Sequence, residues 1–504
     1  MALANSLIDK FVGLFNPEAE LRRAKARLAL DMLRGYEGAS KGRRTDGWKT
    51  GGGSARTETQ RGLVGLRERS RDLVRNNPYA ARAVKVIRTN TVGTGIVPGI
   101  KGDGKRKVAA VKAAWEAWAE TAQCDADGRR DFYGIQALVQ ETVAQSGECL
   151  IRRRWRRSSD GLAIPLQLQV LEPDFIDTSK DTLHAADDGK QLVQGIQLDK
   201  LGRRVAYNLY KNHPGDAGFF SRTESSLVPA QDIIHVFRED RPGQLRGVAW
   251  AAPIVLRLRD LDEYEDAQLL RQKIAALFAA FVTDMDGGPP VTGGKDALQL
   301  DEIQAGAIQY VGPGKSIEFP TPPGVNGYGE YTTAILRSIA VGMGISYESL
   351  TGDLTNVNFS SGRMGWLEFH RNVQDWRWQM LIPQLCGGTW NWFLEAAAVQ
   401  GLAVDGVKVE WTPPKREMID PATETKAKTS QIRAGLISLP EAIREDGMDP
   451  DAVLGEIAET NKQLDELGIK LDSDPRYLSQ NGQSQLVAAN DNSKKNQEDE
   501  DVAA

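Results

Sequence analysis

The densest positive charge in this 504-residue chain is the run Arg152-Arg153-Arg154-Trp155-Arg156-Arg157. An indole set among guanidiniums can stack on planar groups while its neighbours hold phosphate. The run is therefore a candidate contact for DNA or for an acidic partner surface. If it lies on a strand, alternate residues face opposite ways, and only half of the arginines can serve one ligand. The structural alternative is a basic edge strand whose outward charges block pairing with other chains. A second phosphate-like motif, Gly312-Pro313-Gly314-Lys315-Ser316, fails as a nucleotide loop. The first glycine of GxxxxGK[ST] would fall at Gln309, and the residues that follow suggest a strand rather than a helix N-terminus.

No other pattern supports catalysis or a metal. The four histidines, His184, His213, His235 and His370, are far apart, with no HExxH or HxxxH spacing. His235 lies in an apolar run and reads as a core residue. The DxDG fragment at Asp125–Gly128 has no glutamate where a calcium loop needs its bidentate ligand, so a polar turn explains it. Cys124, Cys149 and Cys386 form no CxxC pair, and their odd number fits reduced thiols in a cytoplasm. No GxSxG elbow is present. The expectation is a protein with no catalytic residues, no metal and no cofactor.

The elements that would position these residues follow from periodicity. Helices are expected over 63–91, broken near Asn76-Asn77-Pro78; over 106–122, with Trp115 and Trp118 on one face; and after Asp131, an N-cap. Period-two alternation predicts strands at 164–177 and 232–238, with a hairpin pairing 191–199 with 203–211. A long helix is expected over 253–282, with Leu258, Leu261, Leu269 and Ile274 on its apolar face. It needs neighbours along its whole length, in the same chain or in another subunit, and these four are the candidates for subunit packing. A shorter one follows over 330–345. Residues 346–362 read as a long polar loop, which is uncommon inside a domain and usually functional. The helix after it, 363–400, holds five of the eleven tryptophans. The class is α+β, mostly helical.

Composition is that of an ordinary globular protein, with 41% apolar and 26% charged residues, and net charge −5. The charge is unevenly spread: residues 21–88 hold 18 Lys/Arg against 6 Asp/Glu. Residues 40–60 read as a flexible basic linker, and the polar, acidic end of the chain is expected to be disordered. No stretch approaches the ~20 apolar residues of a membrane span, and the first residues lack the apolar segment of a secretory signal.

A series of short motifs, in order, resembles the lambda-type portal family of tailed bacteriophages. They include Arg71-Asp72-Leu73, Asn76-Asn77-Pro78-Tyr79-Ala80, Asn90-Thr91-Val92-Gly93-Thr94-Gly95-Ile96, Gly147-Glu148 and Leu171-Glu172-Pro173-Asp174. Further on stand Arg241-Pro242-Gly243-Gln244, Arg246-Gly247, Leu350-Thr351-Gly352-Asp353, Asn358-Phe359-Ser360-Ser361-Gly362-Arg363 and Gly447-Met448-Asp449-Pro450. Each is weak alone, and their shared order over about residues 65–455 is what carries the resemblance.

The resemblance implies a homo-oligomeric ring of about twelve subunits at one capsid vertex, divided into wing, stem, clip and crown. Residues 1–62 would be a basic N-terminal helix and linker, 63–250 wing, and 251–345 stem with the clip at about 283–325. Residues 346–362 would be the tunnel loop, 363–412 a long wing helix, 413–472 crown-like helices and 473–504 a tail. Thr351, Gly352, Asp353, Asn356, Asn358, Ser360, Ser361 and Arg363 would line the DNA channel. The implied partners are double-stranded DNA, the terminase large subunit, head-completion or adaptor proteins, and major capsid and scaffold proteins. No membrane is implied; the place would be the virion, after synthesis in the host cytoplasm. A packaging nuclease or ATPase is the rival class, but needs clustered acids or an intact phosphate loop. A connector or shell subunit is the other.

Overall fold

The computed structural model describes residues 51–277, 281–284, 315–318 and 327–476, less 183–185, 187–188, 217–223, 470 and 472–475. The basic segment up to residue 50, most of the expected clip stretch, His184, Gly312–Gly314 and the tail from 477 lie outside those residues.

Helices α1 (Ala55–Asn76) and α2 (Pro78–Thr91) meet at Asn77. Proline cannot continue α1 but suits the first turn of α2. Asn77 caps α2 by accepting from the Ala80 amide at 2.9 Å. Strand β1 (Val97–Lys101) follows, then α3 (Lys105–Ala119) and α4 (Phe132–Ser146). Asp131 caps α4 as expected, its carboxylate accepting from the Gly134 amide at 2.7 Å. The Asp125 carboxylate closes the DxDG turn on the amides of Asp127, Arg129 and Arg130 at 3.0–3.1 Å.

Strand β2 (Glu148–Trp155) is the hinge of the architecture. It lies between β3 (Leu166–Leu171) and β8 (Ile233–Phe237) in a three-stranded antiparallel sheet. Because side chains alternate, Cys149 and Ile151 enter the main core and Leu150 enters a second, smaller one. The smaller core is roofed by a four-stranded sheet of β4 (Gln191–Val193), β5 (Ile196–Leu198), β6 (Arg204–Tyr210) and β7 (Ser225–Pro229). The expected strand 191–199 is two strands with a tight turn. Gln194 and Gly195 both take positive φ, 53° and 75°, the backbone of a primed hairpin turn.

Helix α5 (Val255–Leu277) is shorter than the expected 253–282, and the chain re-forms as β9 (Phe281–Asp284), paired with β10 (Lys315–Glu318). Lys315 and Ser316 thus belong to a strand. The expected packing role of α5 needs correcting. Leu258 and Leu261 are fully buried within the chain's own core, because the first half of α5 lies against α1 and α6 (Tyr328–Met343). Leu269 stands half exposed on the second half; the Ile274 side chain lies outside the described residues.

After α6 come α7 (Tyr347–Thr351) and α8 (Phe359–Asp375). Helix α8 runs without a break into a π-helix, Trp376–Cys386, and then α9 (Gly387–Val399). Trp390 and Phe393 of α9 pack on Trp115 with ring centroids 5.3 and 4.9 Å apart. Strand β11 (Lys408–Thr412) returns to pair with β1, and α10 (Pro421–Arg433), α11 (Leu439–Glu445) and α12 (Pro450–Leu467) complete the described chain. No described helix is long and apolar enough to cross a membrane.

Candidate functional site

The arginine run does not behave as one patch. Strand β8 pairs with β2 only as far as Arg152, while β3 pairs with it to Trp155. The run therefore starts on the central strand of its sheet and becomes an edge only beyond Arg152, which corrects the simple edge-strand expectation. Arg153 is spent inside the molecule: it contacts Asp232 and Glu395, both at 2.5 Å, and lies over Trp155 and Trp392. On the opposite face Arg154 and Arg156 donate to Gln169 and Gln167 at 2.8 and 2.7 Å. Burial, then repulsion from Arg152 and Arg156, lowers the pKa of the Arg154 guanidinium. Arg152, Arg154 and Arg156 form the row that faces one way; Trp155, the last residue of β2, and Arg157 beyond it are exposed.

The buried half of β2 holds a charge cluster that no sequence motif announced as a site. Glu148 is fully buried, and its carboxylate accepts from Arg246 Nη2 at 2.6 Å, Arg246 Nε at 2.8 Å, His235 Nε2 at 2.9 Å and the Gly247 amide at 2.8 Å. Arg246 also donates to the Gln194 carbonyl at 3.0 Å. Burial pushes the Glu148 carboxyl upward, but Arg246 and His235 outweigh it and hold it far below the usual carboxylate range. Burial drives His235 down to about 4 against the pull of Glu148. The pair is therefore carboxylate and neutral imidazole. Two glycines make this approach possible: a Cβ on Gly147, at φ 94°, would meet the Val248 carbonyl carbon at 2.4 Å, and one on Gly247 would meet the Gly147 oxygen at 2.1 Å. The Gly-Glu and Arg-Gly dipeptides are thus two halves of one joint. Arg71 and Asp174, from two other motifs, make a second joint at 2.6 Å, and Asn77 donates to Asp262 of α5 at 2.6 Å.

Glu172, Asp174 and His213 bring ligand-type atoms within 4.8 Å of one another. Arg67 and Arg71 already contact Asp174, at 3.1 and 2.6 Å, so its charge is matched by guanidinium. The three thiols are buried; burial raises the Cys124 pKa to about 12 and those of Cys149 and Cys386 further still. None is primed as a nucleophile.

The polar segment is narrower than 346–362. Thr351 ends α7, Gly352 caps it at φ 74°, and Asn358 caps α8, accepting from the Ser361 amide at 2.8 Å. Ser360 and Ser361 lie in the first turn of α8 and Arg363 opens the second, leaving 352–357 as the loop proper. Within it the Asp353 carboxylate accepts from the Thr355 amide at 3.0 Å and hydroxyl at 2.5 Å, which holds its pKa below the usual value. Asn356 is exposed. The segment also exposes Leu354, Phe359 and Met364, apolar tips that the small-polar reading of the sequence overlooked.

Beside α8 lies a cleft of 640 Å³ between the α8–π-helix wall and α10–α11, lined by Arg363, His370, Arg377, Trp378, Arg416 and Glu424 among others. Arg377 is buried and donates to the carbonyls of Thr91 and Asn90 at 2.7 and 2.8 Å, capping the negative end of α2.

The model of the lambda family of phage portal proteins matches residues 41–377. A probable portal protein of Halomonas phage phiHAP-1 is 28% identical over 435 residues, covering 80% of this chain and 81% of that one. Portal protein B of Escherichia phage lambda is 26% identical over 339 residues, 58% of this chain and 62% of the relative. Among solved structures, a chain in the neck of a native gene transfer agent particle, computed with C12 symmetry, shares 15% identity and a TM-score of 0.46, covering 77% of this chain and 94% of that one. With the ordered motifs of the sequence now seen as the joints of one fold, and the family model spanning two thirds of it, this chain belongs to the lambda family of phage portal proteins.

Proposed function

We propose that about twelve copies of this chain form the ring at one capsid vertex through which double-stranded DNA is loaded by the terminase and later leaves. Head-completion proteins would attach to the same ring, and capsid and scaffold proteins would surround it in the virion. The family match over residues 41–377 carries this reading. In it, 63–250 serves as wing, α5 and α6 as stem elements, the stretch about 283–325 as clip, and α10–α12 as crown. A channel for moving DNA favours sparse, non-specific contacts over base readout. The loop 352–357 suits that: Thr351, Gly352, Asp353 and Asn356, with Asn358, Ser360 and Ser361 at the start of α8, offer short polar groups. Arg363 lines the cleft beside α8, and the row Arg152, Arg154, Arg156 offers a basic surface for DNA or an acidic partner.

Negative-stain imaging of the purified chain, with mass measured in parallel, tests the ring. Rings of about a dozen subunits support it; a chain that stays monomeric even with its scaffold, and that hydrolyses DNA or ATP, overturns it. Deleting 353–357 tests the loop. Rings should form with an unchanged unfolding temperature while DNA retention fails, and normal phage yield would remove the loop from the channel.

A further inference from the structure

Helix α12 and the cleft beside α8 are complementary, and no residue of α12 lines the cleft of its own chain. Of the eighteen residues of α12 only Pro450 is buried. Val453, Leu454, Ile457, Leu464 and Leu467 share one side of the helix, with Ile457 49% and Leu467 72% exposed. The helix is acidic, with Asp451, Glu456, Glu459, Asp465 and Glu466 against Lys462 alone. Residues of α12 do not line the cleft.

The cleft presents the opposite character. Its carboxylates are engaged locally: Glu424 with Arg416 at 3.3 Å, Glu441 with Arg444, and Glu445 and Asp446 with Lys428 at 3.5 and 2.8 Å. Arg363 and Arg377 line it with no carboxylate in ion-pair distance among the described residues. Trp378, 49% exposed, offers an aromatic face between them. Burial first, and then the charges of Arg377 and Arg416, push His370 down to about 4. Double-stranded DNA fits poorly, since its bases are stacked inward and its phosphates would leave the exposed Trp378 indole without a partner. An acidic amphipathic helix fits both the charge and the indole.

We propose that α12 of one subunit seats in the α8–α10 cleft of the next, with Ile457 against Trp378 and Glu456 toward Arg363. The inference rests on the ring reading. In a head-to-tail ring each copy offers one helix and one cleft, and closure leaves neither exposed.

The test uses full-length chains. Ile457→Cys and Trp378→Cys variants are assembled together and treated with a short bis-maleimide; the native thiols are buried and stay silent. Expected are covalent dimers containing one of each variant, formed only on mixing. In a second arm, Arg363→Glu should raise the concentration needed for assembly about tenfold, and adding Glu456→Arg in the same chain should restore it. Mixed rings without cross-linked dimers overturn the proposal. So does an Arg363→Glu chain that assembles like the wild type, or one that Glu456→Arg fails to rescue. If Arg363→Glu rings form normally but lose DNA, the cleft faces DNA and the proposal falls. Wild-type chains that form no rings defeat the ring reading itself, a result separate from all of these.

Discussion

The two ends of β2 show two fates for charge in one strand. At Glu148 every carboxylate lone pair has a donor from the same chain, from Arg246, His235 and the Gly247 amide. Six and eight residues later, Arg154 and Arg156 meet glutamine instead of an acid. Charge closed within the chain fixes the relation of two cores; charge left open is available to something outside. The same contrast separates Arg377, which caps α2, from Arg363, which lines the cleft with only the field of Asp420 nearby.

The comparison can be broken first at its buried end. Glu148→Gln leaves Arg246 as an unmatched buried charge, which should cost about 3–5 kcal/mol and be visible in urea unfolding. A loss below 1 kcal/mol would mean that the joint is not closed as described. Gly147→Ala forces a side chain onto the Val248 backbone at positive φ and should cost at least about 2 kcal/mol. At the open end, Arg153→Ala should lose about 1–3 kcal/mol because it strands Asp232, whereas Arg154→Ala should stay within about 0.5 kcal/mol. Equal effects at 153 and 154 would erase the distinction between the strand's two faces.

Acid gives a smaller, graded test. His235 titrates at about 4 in the fold against an ordinary value of 6.5. Between those values the unfolded chain binds more protons, so stability is fully present above pH 6.5 and falls as pH drops toward 4. Glu148, held low, adds its own loss below about 4.5. Melting temperatures at pH 7, 6 and 5 should decline, and His235→Gln should flatten that slope. A wild-type melting temperature that holds level from pH 7 to 5 would contradict the burial of a neutral imidazole.

Much of the helical frame was legible because its signals are local. Asp131 announces a cap, Asn76-Asn77-Pro78 a break, and Trp115 with Trp118 a buried face. The family was legible through the order of weak motifs, although their physical role was not. Gly147-Glu148 and Arg246-Gly247 stand 98 residues apart in the chain, and no spacing rule joins them. The turn at Gln194-Gly195 hid inside what looked like one alternating strand, since a two-residue reversal barely disturbs period two. Leu258 and Leu261 were assigned to a neighbouring subunit because an apolar stripe reveals burial without saying in what. The exposed Leu354 and Phe359 were overlooked among small polar neighbours.

The π-helix between Trp376 and Cys386 has a mechanical meaning. It joins the exposed start of α8 to the tryptophan-packed α9 without a break, and it contains Pro383. A π segment accommodates surplus residues that an α-helix of the same span would expel. Releasing one such residue turns the upstream helix by about 100° and draws it in by about 1.5 Å, the step of a single α-helical residue. Any such shift of the shaft that carries the loop would come in whole residues, in notches rather than by smooth bending.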